Sequence, residues 1–128
     1  MNDTQTTPHG DIILRTLAMP KDTNTSGDIF GGWVMSQMDI AGGIIAGERA
    51  KGRVATVAVD AMKFIQPVKV GDVLCVYGRV GRVGNTSMAI ELEAWVNRDR
   101  LGERQKVTEG VFVFVALDEA GKPVGVPS

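Results

Sequence analysis

This 128-residue chain contains one histidine and one cysteine. His9 follows Pro8 in a polar stretch at the start of the chain, where backbones tend to fray. A catalytic triad needs an imidazole held in a fixed position, so a histidine-dependent hydrolase is not indicated. Cys75 lies in the apolar run Val73–Tyr77 and is expected to be a small buried residue. A single cysteine also excludes an internal disulfide and a cysteine-rich zinc site, and we expect no metal.

The chain also lacks an excess of either charge and any long apolar run. Fourteen Lys and Arg stand against fifteen Asp and Glu, for a formal net charge of -1. General nucleic-acid binding is not expected, since it needs a basic excess. No apolar stretch approaches the roughly 20 residues that cross a bilayer, and the polar first ten residues do not resemble a signal peptide. We therefore expect a soluble, cytoplasmic protein with no membrane partner.

The chain is long enough for one domain, since domains of roughly 100–150 residues are the commonest. We expect a disordered tail over residues 1–10 and a single domain over residues 11–128. The domain begins with a predicted strand, Asp11–Met19, and a loop of turn-forming residues, Lys21–Asp28. A helix is predicted from Gly32 to Lys51, where the apolar residues Val34, Met38, Ala41 and Ile45 recur at the spacing of one helical face. This helix is apolar almost all round and should be buried.

After the helix, the apolar residues alternate with a period of two and predict four strands. These strands are Val54–Ile65, Asp72–Val83, Thr86–Val96 and Glu103–Ala116. In Thr86–Val96 one side is predicted to be apolar and to consist of Met88, Ile90, Leu92, Ala94 and Val96. The opposite side is polar, with Ser87, Glu91 and Glu93, and Trp95 is its exception. The short links between them favour antiparallel hairpins. One strand, one helix and four strands predict an α+β fold, with a curved antiparallel sheet wrapped around the helix. Because a sheet covers one side of a helix, we expect a homodimer or a larger assembly to cover the rest.

Asp39 is the only ionisable residue between Trp33 and Gly47. Burial of an unpaired carboxylate is costly, and aspartate is a poor helix former. A structural aspartate, hydrogen-bonded across a subunit interface, is one interpretation. The other is a general base or nucleophile in a partly desolvated cleft.

Gly31 and Gly32 open the predicted helix. The first amides of a helix have no intrahelical partners, and they carry the positive end of its dipole. Such amides could stabilise negative charge on a carbonyl oxygen, whereas the alternative is a tight turn into the helix. Seven residues separate Gly32 from Asp39, roughly 10 Å along a helix, so the two groups could serve one carbonyl only across a dimer with antiparallel helices.

Two blocks of sequence resemble the YciA-type acyl-CoA thioesterases of the hotdog-fold superfamily. They are LRTLAMPKDTNTSGDIFGGWVMSQMD, ending at Asp39, and RVATVAVDAMKFIQPVKVGD, beginning at Arg53. The resemblance extends from about Ile12 to Pro127. It implies a hotdog fold, a dimer often assembled as a trimer of dimers, and hydrolysis of acyl-coenzyme A to a free acid and coenzyme A. Coenzyme A would then be part of the substrate, with no separate cofactor.

The resemblance also implies roles for individual residues. The family's catalytic acid matches Asp39, as general base or as nucleophile. Asn24 matches an asparagine that would come from the partner subunit, and the Gly32 amide matches the one that polarises the carbonyl. Gly31, next to it, would help to bind the substrate. The coenzyme-binding positions match two segments, formed by Ala55, Thr56, Val57 and by Asn85, Thr86, Ser87. Five cations are further candidates for the phosphates: Arg82, Arg98, Arg100, Arg104 and Lys106.

The chain departs from several relatives at Phe30, where they carry a histidine. Hotdog dehydratases depend on an active-site histidine, and the predicted core offers none. Two rival hypotheses are a non-catalytic acyl-CoA-binding or sensing module on the same fold and a structural oligomer without a ligand. A binding module gains nothing from a costly carboxylate beside the thioester, so Asp39 favours the enzyme.

Overall fold

A computed structural model describes residues 5–98 and 102–128, which form five strands and one long helix. The bounds are β1 Asp11–Leu17, α1 Gly31–Ala50, β2 Arg53–Phe64, β3 Val73–Val83, β4 Ser87–Asn97 and β5 Gln105–Leu117. A short 3-10 turn, Pro20–Asp22, lies in the loop before the helix. The predicted α+β fold is confirmed, and the ends of the elements lie within two residues of the predicted ends.

The five strands form one antiparallel sheet in the order β1-β3-β4-β5-β2. The expectation of a hairpin between β2 and β3 is wrong, because β2 pairs with β5 and lies at the far edge. Their link, residues 65–72, crosses the ends of β4 and β5. That crossing is three strand spacings, about 14 Å, and eight extended residues can span about 26 Å. The length of the link therefore permits a crossing as readily as a hairpin.

The core lies between α1 and the concave face of the sheet, and the helix contacts all five strands. The predicted inward residues of β4 are each at most 1% exposed: Met88, Ile90, Leu92, Ala94 and Val96. Glycine allows the helix to approach closely, because a Cβ atom on Gly42 would lie 2.8 Å from the ring of Phe114. Within the described residues, no helix is long and apolar enough to cross a bilayer.

The opposite side of the helix is open in the single protomer. Ile40 and Ile44 of α1 are 53% and 46% exposed, and Val57 and Val59 of β2 are 58% and 38% exposed. We call this apolar surface of four residues the open edge. The sheet covers only one side of the helix, so the expectation of a helix buried all round is not met within one chain.

Candidate active site

Asp39 lies on α1 between buried Met38 and exposed Ile40, and it is half-buried. The hydroxyl of Thr56 on β2 donates a hydrogen bond to Asp39 Oδ1 over 2.5 Å. In the part of the chain that the structure describes, Oδ2 of Asp39 has no hydrogen-bond partner. One carboxylate oxygen is thus held in place while the other is free to accept a proton or attack a carbonyl.

Thr56 was assigned to the coenzyme site by resemblance, and the structure turns its hydroxyl towards Asp39. Thr56 of β2 is paired with Phe114 of the neighbouring strand β5. Opposite residues of an antiparallel pair lie on the same face of a sheet. The side chain therefore points to the helix side. Seventeen residues separate Thr56 from Asp39, and no local pattern in the sequence indicated that they would meet.

Among the described residues, the first two backbone amides of α1 donate no backbone hydrogen bond. The first hydrogen bonds of the helix run from Trp33 N and Val34 N to Phe30 O, over 3.1 and 3.4 Å. The amides of Gly31 and Gly32 precede these bonds, as the first amides of a helix do. A Cβ atom on Gly31 would lie 3.3 Å from the ring of Phe64, whereas one on Gly32 would have nothing within 4 Å. The Cα of Gly32 therefore borders open space on its side-chain side, whereas Gly31 packs against Phe64.

Asn24 organises the loop that leads into the helix. Its side-chain Oδ1 accepts hydrogen bonds from Ser26 N at 2.9 Å and Asp28 N at 3.1 Å. Its backbone N–H also donates to Asp28 O at 2.7 Å. The loop therefore occupies the side-chain oxygen of Asn24, and Nδ2 is the atom left to contact a substrate.

This loop is also tied to the link between β2 and β3. Lys69 Nζ lies 2.5 Å from Asp28 Oδ1, and Ile29 N donates to Val68 O over 3.1 Å. Two independent contacts thus fix the loop just before the helix begins.

The two segments assigned to the coenzyme lie at the same end of the sheet. Ala55 of β2 and Ser87 of β4 both pair with Val115 of β5, from opposite sides. The register shifts after Thr56, so Val57 sits at an irregularity of the edge strand, where it is 58% exposed. Only β5 separates the two segments, and Thr86 O accepts a hydrogen bond from Ala116 N of that strand at 2.9 Å.

Three of the five candidate cations have partners within the protein. Arg98 binds Asp72 through Nε and Nη2 at 3.1 and 2.8 Å, and Arg104 lies 6.0 Å from the centre of the Trp95 ring. Lys106 is 8% exposed and contacts Glu93, Glu109 and Gln5. Arg82 is exposed near the turn between β3 and β4. Arg100 lies outside the described residues.

The convex face of the sheet carries a buried charged cluster that the sequence analysis missed. Glu93 is 8% exposed and accepts hydrogen bonds from Trp95 Nε1 at 2.9 Å and from Gln5 Nε2 at 2.8 Å. His9 Nδ1 lies 3.0 Å from Glu93 Oε2, and the His9 amide donates to Oε1. Burial alone would raise the pKa of Glu93, but these hydrogen bonds and the charge of Lys106 lower it below its ordinary value of 4.5.

The stretch before β1 forms these contacts across the face of the sheet. Gln5 and His9 lie in the segment expected to be a disordered tail, and the His9 side chain is 55% exposed. Across residues 5–98 and 102–128, His, Cys, Asp and Glu form no group of three that could hold a metal ion. Cys75 is free and 3% exposed, as predicted.

Comparison with known proteins connects this arrangement with thioester hydrolysis. The sequence profile described as Thioesterase superfamily matches residues 26–103. The acyl-CoA thioester hydrolase YciA of Escherichia coli is 54% identical over 130 aligned positions, which cover 99% of this chain and 98% of the relative.

Solved structures agree with the sequence comparison. A hexameric thioesterase from Yersinia pestis has a TM-score of 0.90 at 57% identity, covering 95% of this chain and 99% of that chain. A hexameric hotdog fold thioesterase of Campylobacter jejuni has a TM-score of 0.87 at 40% identity, covering 92% of this chain and 91% of that chain. Both likenesses extend over nearly the whole domain.

Proposed function

The chain belongs to the thioesterase superfamily of hotdog-fold proteins, and from this premise we propose that it hydrolyses acyl-coenzyme A to a free carboxylic acid and coenzyme A. The observation that carries the proposal is the Asp39 carboxylate, fixed at Oδ1 by Thr56 and free at Oδ2. The named activity of the E. coli relative, at 54% identity over the whole domain, supports the choice of substrate class.

Two routes lead from this carboxylate to the products. As a general base, Asp39 takes a proton from water while the water oxygen attacks the thioester carbon. As a nucleophile, Asp39 attacks that carbon itself, and water then hydrolyses the mixed anhydride. In both routes the carbon–sulfur bond breaks, and the coenzyme sulfur leaves as a thiolate that takes up a proton.

The Gly32 amide is the group we propose to stabilise the carbonyl oxygen as negative charge develops on it. Asp39 lies seven residues further along the same helix, a rise of roughly 10 Å, so one thioester cannot use both groups of a single chain. We therefore propose that Asp39 of one protomer works with Gly32 and Asn24 of its partner. Asn24 Nδ2 would orient the water or the carbonyl.

The open edge supports this shared site. Thr56 and the apolar residues Ile40 and Val57 are exposed in the single protomer, beside the outer edge of β2, which pairs with no other described strand. A second copy packed there would desolvate Asp39 and bury apolar surface at the same time. Hexamers of the Yersinia and Campylobacter thioesterases are consistent with a homodimer that assembles further as a trimer of dimers.

The coenzyme part of the substrate is proposed to lie at the end of the sheet where Ala55, Thr56 and Val57 approach Asn85, Thr86 and Ser87. Strand amides and small hydroxyls there can hydrogen-bond the pantetheine and phosphate groups. Arg82, exposed at this end, is the cation best placed for a phosphate. The proposed site thus consists of these six strand and turn residues together with Asn24, Gly31, Gly32 and Asp39. We also propose that the protein is cytoplasmic.

A non-catalytic acyl-CoA-binding module is the alternative function. It would have no use for a carboxylate held by Thr56 with one oxygen open, so the geometry favours the enzyme.

The decisive experiment replaces Asp39 by asparagine in the purified protein. Release of free thiol from acyl-CoA should fall about 10²–10⁴-fold, the usual contribution of a general base, or further if Asp39 is the nucleophile. Calorimetry should still detect coenzyme A binding. Glu48→Gln, on an exposed position of the same helix, is the matched control and should keep full activity. Turnover of Asp39→Asn within twofold of the parent protein would refute the proposed mechanism.

A further inference from the structure

The end of the chain bridges the far end of α1 and the turn between β3 and β4. Arg49, in the last turn of the helix, donates a hydrogen bond from Nη1 to the carbonyl oxygen of Pro127. The neighbouring amide of Val126 donates to Asn85 O over 2.8 Å. Arg49 is thus connected to Asn85 through two hydrogen bonds and the two residues Val126 and Pro127.

The segment that makes this bridge is docked on the domain. Val124 N donates to Ala116 O over 2.9 Å, Pro123 forms a bridge with Leu117 of β5, and Val126 packs against the core. Arg49 is itself half-buried, which restricts the conformations of its side chain. The bridge therefore has fixed contacts at the helix, at β5 and at the turn.

The turn that receives the bridge has few contacts of its own. Asn85 is exposed, and among the described residues one backbone hydrogen bond outside the strand ladder closes the turn, from Gly84 N to Ser87 O at 2.8 Å. Thr86 O is bonded to Ala116 N on one side, so the contact from Val126 is the second anchor. Without that anchor, the backbone at Asn85 can move relative to the strand beside it.

We propose that Arg49 is a positioning residue for coenzyme binding, which acts by holding the C-terminal segment against the Asn85 turn. The inference rests on the proposed function, since the coenzyme is what the turn is proposed to bind. Arg49 does not touch the reacting atoms, because it lies ten residues beyond Asp39, a helical rise of about 15 Å. Its effect should therefore fall on coenzyme affinity and leave the chemical step unchanged.

The test compares two thioesters of the same acyl group, one of coenzyme A and one of N-acetylcysteamine, which lacks most of the pantetheine and the whole nucleotide. Arg49→Met should raise KM for the acyl-CoA about tenfold, the value of roughly one charge-assisted hydrogen bond, with kcat within twofold. KM for the short thioester should not change. Arg49→Lys, which keeps a donor and the charge, should recover most of the affinity. Arg79→Met, which breaks an exposed ion pair with Glu91, is the control and should match the parent protein.

A double-mutant cycle separates positioning from direct contact of Arg49 with a coenzyme phosphate. A chain ending at Gly125 lacks the Val126 amide and the Pro127 carbonyl but keeps the Arg49 charge. It should weaken coenzyme A binding as Arg49→Met does, and adding Arg49→Met to it should have no further effect. Additive losses would overturn the inference, as would equal KM changes for both thioesters.

Calorimetric Kd values for free coenzyme A give the same comparison without turnover. If the parent protein hydrolysed neither thioester, the proposed function would fail, while a tenfold weaker Kd in Arg49→Met would still support the bridge. An unchanged Kd in an active enzyme would refute the bridge alone.

Discussion

Replacing Thr56 by valine should impair catalysis while leaving the protein folded. Valine has almost the same shape, so the change removes one hydroxyl donor from Asp39 Oδ1. Hydrogen bonds to charged groups contribute about 1.5–3 kcal/mol, which corresponds to roughly a tenfold to hundredfold loss of rate if the whole interaction acts in the transition state. Thr56 is exposed in the protomer, where water can replace the lost donor, so the free energy of unfolding should fall by about 1 kcal/mol or less.

The assay is thiol release from acyl-CoA at saturating substrate, with a thermal melt of each variant. Thr56→Ser keeps the hydroxyl and should retain most of the activity. In the Asp39→Asn background, Thr56→Val should cost much less than it does alone, since the two side chains act as a pair. If Thr56→Val turned over within twofold of the parent protein at an unchanged melting temperature, the orienting role of this hydrogen bond would be disproved.

Three further outcomes are expected. Gly32→Ala should have the melting temperature of the parent protein, because the added Cβ meets no atom within 4 Å. Its kcat/KM should fall at least about tenfold, because the methyl group crowds the amide proposed to bind the oxyanion. Full activity of this variant would remove that amide from the mechanism. Gly42→Ala should destabilise the fold by about 1–3 kcal/mol, because the added Cβ would lie 2.8 Å from the buried ring of Phe114. This cost should exceed the gain from the better helix propensity of alanine. A stabilised variant would contradict this packing. The lowered pKa of Glu93 means that its charged form stabilises the fold above about pH 4.5 and that this stability is lost as the pH falls further. Denaturant titrations of Glu93→Gln should therefore show a deficit at pH 7 that shrinks below pH 4.5, and a constant deficit would exclude ionisation as its source.

Elements with strong local patterns were predicted well. The alternation in β4 predicted its inward side from Met88 to Val96, and those residues are buried. The helical spacing of Val34 and Met38 predicted the buried stripe of α1 for the same reason, since each pattern repeats within a few residues. The prediction of β2 beside β3 failed because strand pairing depends on contacts far apart in sequence, and an eight-residue link permits two solutions.

The candidate site was predicted in part. Asp39 stood out because it is the only ionisable residue in a long apolar segment. Its hydrogen bond with Thr56 joins the helix to the edge strand β2, and residue spacing in the sequence does not predict such a tertiary contact. Glu93 was predicted on the polar side of β4, yet it is buried in contact with Gln5 and His9, which come from the segment before β1. Side chains covered by a distant segment carry no local signal of their burial.

The exposed border of β2 has a consequence for the life of a newly made chain. The outer side of this twelve-residue strand pairs with no other strand in residues 5–98 and 102–128. Such an edge is a template on which another extended peptide can add, and it is a frequent starting point for misassembly. If a second subunit covers this edge of β2, then dilution dissociates the subunits, and the protein loses its activity and its solubility together. Cells would thus need to keep the concentration of this protein above its dissociation constant, and substitutions at Ile40 or Val59 could silence the enzyme by loosening its quaternary structure.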